Sequence, residues 1–278
     1  MTAPFQQRFL ELARSRSPLC IGIDPSAEQL AAWSLADDSA GLAAFCERMV
    51  AVCAPLVATM KPQAAFFERH GPAGMAVLQR TIAGIQAAGA LALVDAKCGD
   101  IASTAVAYGE AYLGPHSAYR GDALTLSPFL GFGSLAPIID IARRAGAGVF
   151  VVVRSSNPEG GDIQHAAIAA NGRSVAEHLA DAIAAANATE DIGPIGAVVG
   201  ATLGAEAGAL AARMPNALLL VPGIGAQGAT VADVRRDFGR HYARVVPSLS
   251  RGIARAGPAP AALRRQVEAV IAELRAAQ

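Results

Sequence analysis

The feature that most constrains the fold is a rhythm in hydropathy. Eight short apolar runs recur along the chain: Leu19 to Asp24, Val57 to Lys61, Ala90 to Lys97, Ala123 to Ser127, Gly148 to Arg154, Ile195 to Gly200, Ala217 to Val221 and Ala243 to Pro247. Each has the length and bounded apolar character of a buried strand. The stretches between them carry helical periodicity. The last, Ala261 to Arg275, sets Leu263, Val267, Val270, Ile271 and Leu274 on one face. Strand–helix alternation implies parallel strands. Eight such units predict an α/β fold, a single closed (β/α)8 TIM barrel. An open doubly wound sheet is the alternative. The 278 residues suit one barrel domain spanning 1–278. Nothing reads as an interdomain linker, and Gly257 to Pro260 is a proline-broken connection before the last helix.

Composition narrows the partners. Lys plus Arg equals Asp plus Glu, 23 each, so no global attraction to nucleic acid or an anionic membrane is expected. The high apolar content is carried largely by Ala and Gly, with no run of about 18 or more strongly apolar residues, so a spanning helix is not expected. Met1 to Arg16 contains Glu11 and no apolar core of a secretory signal. The four cysteines, 20, 46, 53 and 98, include no Cys-x-x-Cys, which fits a reducing cytoplasm. Cys46 and Cys53 fall on the apolar face of a helix, Cys20 falls in a strand, and Cys98 reads as a small space-filling residue. The five histidines, 70, 116, 165, 178 and 241, show no metal-ligand spacing and read as surface or local hydrogen-bonding groups.

In a barrel, chemistry gathers where strands end and the following loops begin. The third run ends in Asp95-Ala96-Lys97-Cys98-Gly99-Asp100-Ile101. Alternation along a strand points Asp95 and Lys97 to the same face. Gly99 breaks the strand, and Asp100 falls at the turn or first helical turn that follows. Three charges at the end of a buried strand are costly unless they pair or do chemistry. Alone, the pattern also fits an ordinary ion pair. The other strand ends add Gly22-Ile23-Asp24-Pro25-Ser26, Met60-Lys61-Pro62-Gln63, Arg154-Ser155-Ser156-Asn157-Pro158, Pro222-Gly223-Ile224-Gly225-Ala226-Gln227-Gly228 and Pro247-Ser248-Leu249-Ser250-Arg251-Gly252-Ile253. Polar groups therefore converge on one rim. The loops after the seventh and eighth strands are the usual phosphate-binding place in barrels, where glycines admit an anion to the backbone and Arg251 can fork onto its oxygens.

Taken together, Gly22-Ile23-Asp24-Pro25, Lys61, the Asp95 to Ile101 segment with Thr104, the Pro222 to Gly228 turn and Arg251 resemble the orotidine 5′-phosphate decarboxylase family, which acts last in pyrimidine nucleotide synthesis. The pieces appear in family order and span most of the chain. Met60 to Glu68 and Ser156-Asn157-Pro158 resemble its longer bacterial subgroup. The resemblance implies that orotidine 5′-monophosphate is decarboxylated to UMP and CO2 without a cofactor or a metal. It implies that Lys97 protonates C6 of the pyrimidine after carbon dioxide leaves and that Asp95 faces the substrate carboxylate. Lys61 and Asp100 would complete an alternating Lys-Asp-Lys-Asp network. Asp24 would contact a ribose hydroxyl, Ser156 the pyrimidine edge, and Gln227 and Arg251 the phosphate. Asp100 and Thr104 would act in the partner's site across a homodimer interface.

The chemistry fits independently. A carbanion at C6 is stabilised by a fixed cation beside the developing charge, and at about 4 Å with an effective dielectric near 20 one such pair is worth roughly 4 kcal/mol before desolvation. Alternating signs keep Lys97 and Asp95 ionised. Two other readings share parts of the pattern. A hexulose-phosphate synthase of the same superfamily would use the carboxylates as Mg²⁺ ligands. A catalytically silent phosphate-binding barrel would have no need of the strained charge cluster.

Overall fold

The computed structural model describes residues 3–277. Its sheet consists of β1 (Cys20–Ile23), β2 (Thr59–Pro62), β3 (Leu91–Cys98), β4 (Ala123–Leu126), β5 (Gly148–Arg154), β6 (Ile195–Val199), β7 (Leu219–Pro222) and β8 (Val245–Leu249). Each strand pairs in parallel with the next. β8 closes the ring on β1 through Cys20 with Ser248 and Ile21 with Leu249. Closure removes the two edges that an open doubly wound sheet would leave. All eight expected strands are present, with ends displaced by a residue or two. β8 is displaced by two residues at both ends, running Val245–Leu249 rather than Ala243–Pro247. Ala243 and Arg244 belong instead to a 3-10 segment, Gly239–Arg244. There the Arg244 guanidinium donates to the carbonyls of Ala211, Met214 and Ala217.

Alternation along the strands divides the barrel interior into a dry lower part and a polar upper part. Leu91, Leu93, Phe150, Leu218, Leu220 and Val246 belong to one buried apolar cluster. Two residues further along the same strand faces stand Asp95, Val152, Pro222 and Ser248, which line a cavity. The helix Phe5–Ser15 closes the lower mouth. Phe5 and Phe9 join the inner cluster, and the Phe5 ring meets Phe150 edge-on at 5.8 Å. The remaining helices lay apolar faces on the outside of the sheet. The last runs Pro260–Ala276 and buries all five residues expected on its inner face.

Two expectations about composition meet the structure differently. The four cysteines are unpaired and buried, and burial pushes each thiol up to about 12. Cys98 is thus a packing residue beside the charged motif rather than a ready nucleophile. The expectation that no long apolar run exists needs correction. Ser39–Leu56 is, by length and composition, apolar enough to cross a bilayer. Half of that stretch is buried in the protein, and it is mostly the helix Ser39–Cys53, which packs Leu42, Phe45, Cys46, Met49 and Cys53 inward. Its alanines raise the hydropathy without forming a lipid-facing surface, and Glu47 and Arg48 interrupt it.

The plug at the lower mouth makes a stability prediction. Phe5→Ala should lower the unfolding free energy by about 3–5 kcal/mol, the usual cost of truncating a fully buried Phe. Urea denaturation followed by circular dichroism measures it. A loss under about 1 kcal/mol would mean that the helix rests on the barrel without being part of its core.

Candidate active site

The register of β3 against β4 builds the centre of the cavity. Leu93 and Val94 face Ala123 and Leu124, but the next pair is Cys98 with Leu126. β3 therefore advances four residues while β4 advances two, and the excess is taken up between Val94 and Cys98. Lys97 absorbs it with φ of +48°, in the left-handed region. For a residue with a Cβ this costs on the order of 1–3 kcal/mol and persists only where neighbours hold it. One such neighbour is Thr125, whose hydroxyl oxygen accepts from the Lys97 amide at 2.9 Å. The bulge turns both Asp95 and Lys97 into the mouth. The simple alternation expected from sequence reaches the same outcome by a straighter route than the chain takes.

Asp95 then anchors two cations. One carboxylate oxygen accepts from Lys61 Nζ at 2.5 Å, and the other accepts from Lys97 Nζ at 2.6 Å and from the Thr125 hydroxyl at 2.8 Å. Lys61 is buried in the wall, with 8% of its side chain exposed, whereas Lys97 keeps 49% open to the cavity. Burial alone would raise the Asp95 carboxyl. The two ammonium groups outweigh it and hold the carboxyl well below its usual range. Burial would likewise lower Lys61, but Asp95 and Asp24 carry it above the ordinary lysine value. The cluster is therefore ionised, with one cation fixed in the wall and the other offered to a ligand.

The cavity, of about 310 Å³, collects seven of the nine expected site residues: Asp24, Lys61, Asp95, Lys97, Ser156, Gln227 and Arg251. That volume is at the lower end for small-molecule sites. Asp24 accepts from the Ser250 hydroxyl through one oxygen, while its other oxygen is buried with no partner. A buried acceptor without a donor is costly, and this one sits in the cavity wall. Ser156 donates to Gln227 Oε1 at 2.7 Å, joining the loops after β5 and β7 over the opening. Gly223, Gly225 and Gly228 take φ of +108°, +78° and +97°, so this turn needs residues without a Cβ. Arg251 stands at the start of the short helix after β8.

Asp100 and Thr104 are not brought into this cavity. Asp100 lies past the end of β3, where its side chain accepts from the Ile101 amide at 2.7 Å. Thr104 is exposed in the helix Ala102–Leu113. Several lining residues were not assigned a role from sequence. Thr125 is the most consequential, since it braces both Asp95 and Lys97. A hydroxyl on the inward face of an otherwise apolar strand, two residues from Ala123, was the available signal. Gln63 donates to the Asp95 carbonyl at 3.1 Å, and Ser248 and Ser250 complete the wall.

A polar, charge-bearing cavity at the strand C-terminal mouth of a closed barrel is the arrangement of (β/α)8-barrel enzymes. Comparison with known proteins makes the class specific. Residues 17–266 match the model of the orotidine 5′-phosphate decarboxylase / HUMPS family, and the chain belongs to that family. It is 50% identical over 275 residues to an orotidine 5′-phosphate decarboxylase of Streptomyces coelicolor, covering 99% of this chain and 98% of that one. It is 48% identical to the enzyme so named from Myxococcus xanthus, with 98% and 96% covered. The solved structure of Leishmania donovani OMP decarboxylase superposes with a TM-score of 0.82 at 32% identity, covering 99% of this chain and 98% of that one.

The two pKa shifts make a stability prediction. A carboxyl depressed on folding contributes stability that is complete above its unfolded value, about 3.9, and is lost as pH falls through its lower folded value. A lysine raised on folding contributes stability that is complete below about 10.4 and is lost only as pH rises past that. Between those limits the pair is fully effective. Asp95→Asn should therefore destabilise by about 3–5 kcal/mol at pH 7, because it leaves Lys61 buried without its main counter-charge. The gap from wild type should shrink at pH values well below 3.9, and denaturant melts across pH measure it. A gap independent of pH would mean that packing, not charge, holds Asp95 in place.

Proposed function

We propose that this chain is an orotidine 5′-phosphate decarboxylase, a carboxy-lyase that converts orotidine 5′-monophosphate to UMP and CO2 and so completes pyrimidine nucleotide synthesis. The carrying observation is Lys97: a half-exposed ammonium held by buried Asp95 at the cavity mouth, in a chain half identical to a decarboxylase so named. The reading extends to one catalytic domain, a cytoplasmic location and no cofactor. The unpaired buried cysteines support the location.

The residues have separable tasks. Arg251, Gln227 and the turn at Gly225 take the phosphate, far from the reacting carbon. Asp24 takes a ribose hydroxyl as donor, and Ser156 takes the pyrimidine edge. Asp95 faces the substrate carboxylate, and loss of carbon dioxide removes that negative charge from its neighbourhood while electrons collect at C6. Lys97 Nζ, already oriented by Asp95, stabilises that charge and gives C6 its proton. A charge present before the reaction and aimed where density develops stabilises the transition state more than the substrate. Gripping the phosphate draws the Gly223 to Gly228 turn over the ligand, so remote binding energy serves the chemical step.

The same proposal includes a homodimer in which Asp100 and Thr104 complete the partner's site. Their position outside their own cavity supports it. So do exposed apolar side chains beside them in sequence, Ile101, Val106 and Tyr108, and on the segment after β4, Phe129 and Leu130, with Phe129 76% exposed. Large side chains grouped in this way mark an interaction surface.

Two measurements test the reading. Purified protein should turn over orotidine 5′-monophosphate, seen as loss of the substrate's pyrimidine absorbance, and should do so after exhaustive chelation. Lys97→Ala should fold and lose at least about 100-fold in rate, the usual minimum contribution of a general acid. Absence of turnover by wild type refutes the proposal, and activity restored only by Mg²⁺ would favour the sugar-phosphate synthase reading. Separately, Lys97→Ala and Asp100→Ala chains should each be inactive. After mixing and subunit exchange they should recover up to about a quarter of wild-type activity, since one site of each mixed dimer has both groups intact. Demonstrated heterodimers with no recovery would assign Asp100 to its own chain's site.

A further inference from the structure

The segment after β5 carries Ser156 and Asn157 into the cavity wall, yet nothing apolar holds it down. Neither the 3-10 turn Pro158–Gly160 nor the short helix Gly161–Gln164 buries a residue, and Ile163 is 54% exposed. A loop without an apolar anchor keeps one shape only if polar contacts fix it.

Those contacts centre on Arg154, a buried cation at the end of β5, 7% exposed. Its Nη1 donates to the Ser155 carbonyl at 2.9 Å and to Gln164 Oε1 at 3.1 Å. Gln164 Oε1 also accepts from the Ser155 amide at 3.0 Å, and the Gln164 amide nitrogen donates to the Ser155 hydroxyl at 3.0 Å. The Ser155 amide, carbonyl and side chain are thus all held from behind. Glu206 ties the two ends of the segment together. Its Oε1 accepts from Arg154 Nε at 3.2 Å and lies 2.8 Å from His165 Nε2. On the other side, Thr202 donates to the Ser156 carbonyl at 3.1 Å. Gly200 lets the loop lie on the end of β6, where a Cβ would come within 2.7 Å of Ser156 Cα.

We propose that Arg154 and Gln164 are positioning residues for the reaction: they fix the backbone of Ser155 so that the Ser156 hydroxyl stands where it meets Gln227 and the base. The inference rests on the nucleotide reading of the cavity. Neither residue lines the cavity, and both act through Ser156. Arg154 reaches Glu206 through Nε while its Nη1 serves the Ser155 carbonyl and Gln164, a planar spread of donors that a lysine's single ammonium cannot reproduce. Gln164 supplies one oxygen that satisfies both the fork and an amide. A misplacement of the serine by about 1 Å is enough to lower turnover substantially.

The test is a double-mutant cycle in the full chain with orotidine 5′-monophosphate. Gln164→Ala should lower kcat/KM about tenfold while the melting temperature stays within about 2 °C, since the side chain is only half-buried and packs no core. Ser156→Ala combined with Gln164→Ala should be no worse than Ser156→Ala alone. Gln164→Glu, which keeps the accepting oxygen, should retain most activity, and Arg154→Lys, which keeps the charge but not the fork, should behave like Gln164→Ala. Unchanged kcat/KM in Gln164→Ala, or losses that multiply in the double variant, would overturn the proposal. Amide hydrogen exchange across residues 155–164 gives a readout that does not need turnover. Exchange should be faster in Gln164→Ala than in wild type, and equal rates would overturn the proposal even if the enzyme works. Inactive wild type with faster exchange in the variant would count against the nucleotide reading and leave the loop assignment standing.

Discussion

The site depends on one carboxylate serving two lysines. Asp95 stands where the dry interior of the barrel gives way to the open mouth, and there a single buried ion would be untenable. Lys61, locked in the wall, makes the negative charge tolerable. Asp95 in turn makes it possible to hold Lys97 at a fixed point over the cavity. Remove Lys61 and Asp95 has only the half-exposed cation to offset its burial. Remove Asp95 and two cations face each other across a few ångströms. The order of the charges, cation in the wall, anion between, cation at the opening, follows from burial, because the most desolvated ion needs the closest counter-charge.

That order is attached to a backbone that gives up regularity to hold it. β3 carries two more residues than β4 between matched pairs, and Lys97 sits at a positive φ. The strain is tolerable because the lower half of the barrel is not asked to do chemistry. Phe5 and Phe9 seal the opposite mouth, and the layer of Leu91, Leu93, Phe150 and Leu220 above them is apolar. The stable end of the barrel and the strained end are the two ends of the same strands. A substitution in the lower layer should therefore lower stability before it alters the geometry around Asp95.

The eight strands were legible because each is a short apolar run between helical stretches, a pattern that a closed parallel barrel makes obligatory. The seven residues that meet in the cavity were legible because strand ends are where side chains leave the core. What escaped notice has physical reasons. Thr125 carries no charge and lies inside a strand, so its one signal, a lone hydroxyl on an inward apolar face, does not say that it braces both Asp95 and Lys97. The bulge at Lys97 depends on the register with a neighbouring strand and has no signature in the residues that form it. Ser39–Leu56 passed unremarked because an alanine-rich helix packed on the barrel reaches the mean hydropathy of a membrane span while Glu47 and Arg48 break its apolar run.

The loops over the cavity complete the division of labour. The turn at Gly223 to Gly228 bends through three positive-φ glycines, and the segment after β5 is pinned by Arg154 rather than by apolar side chains. Both are ordered by polar contacts that water can replace at modest cost, unlike the contacts that hold the barrel. They meet at one hydrogen bond, Ser156 to Gln227. A ligand whose phosphate engages one loop and whose base engages the other would bridge them and strengthen that junction, excluding water from above Lys97 as it binds. The Asp95 cluster, by contrast, is assembled before any ligand arrives. Pre-formed charges beneath loops held only by polar contacts separate electrostatic stabilisation of the reacting carbon from recognition of the parts of the substrate that do not react.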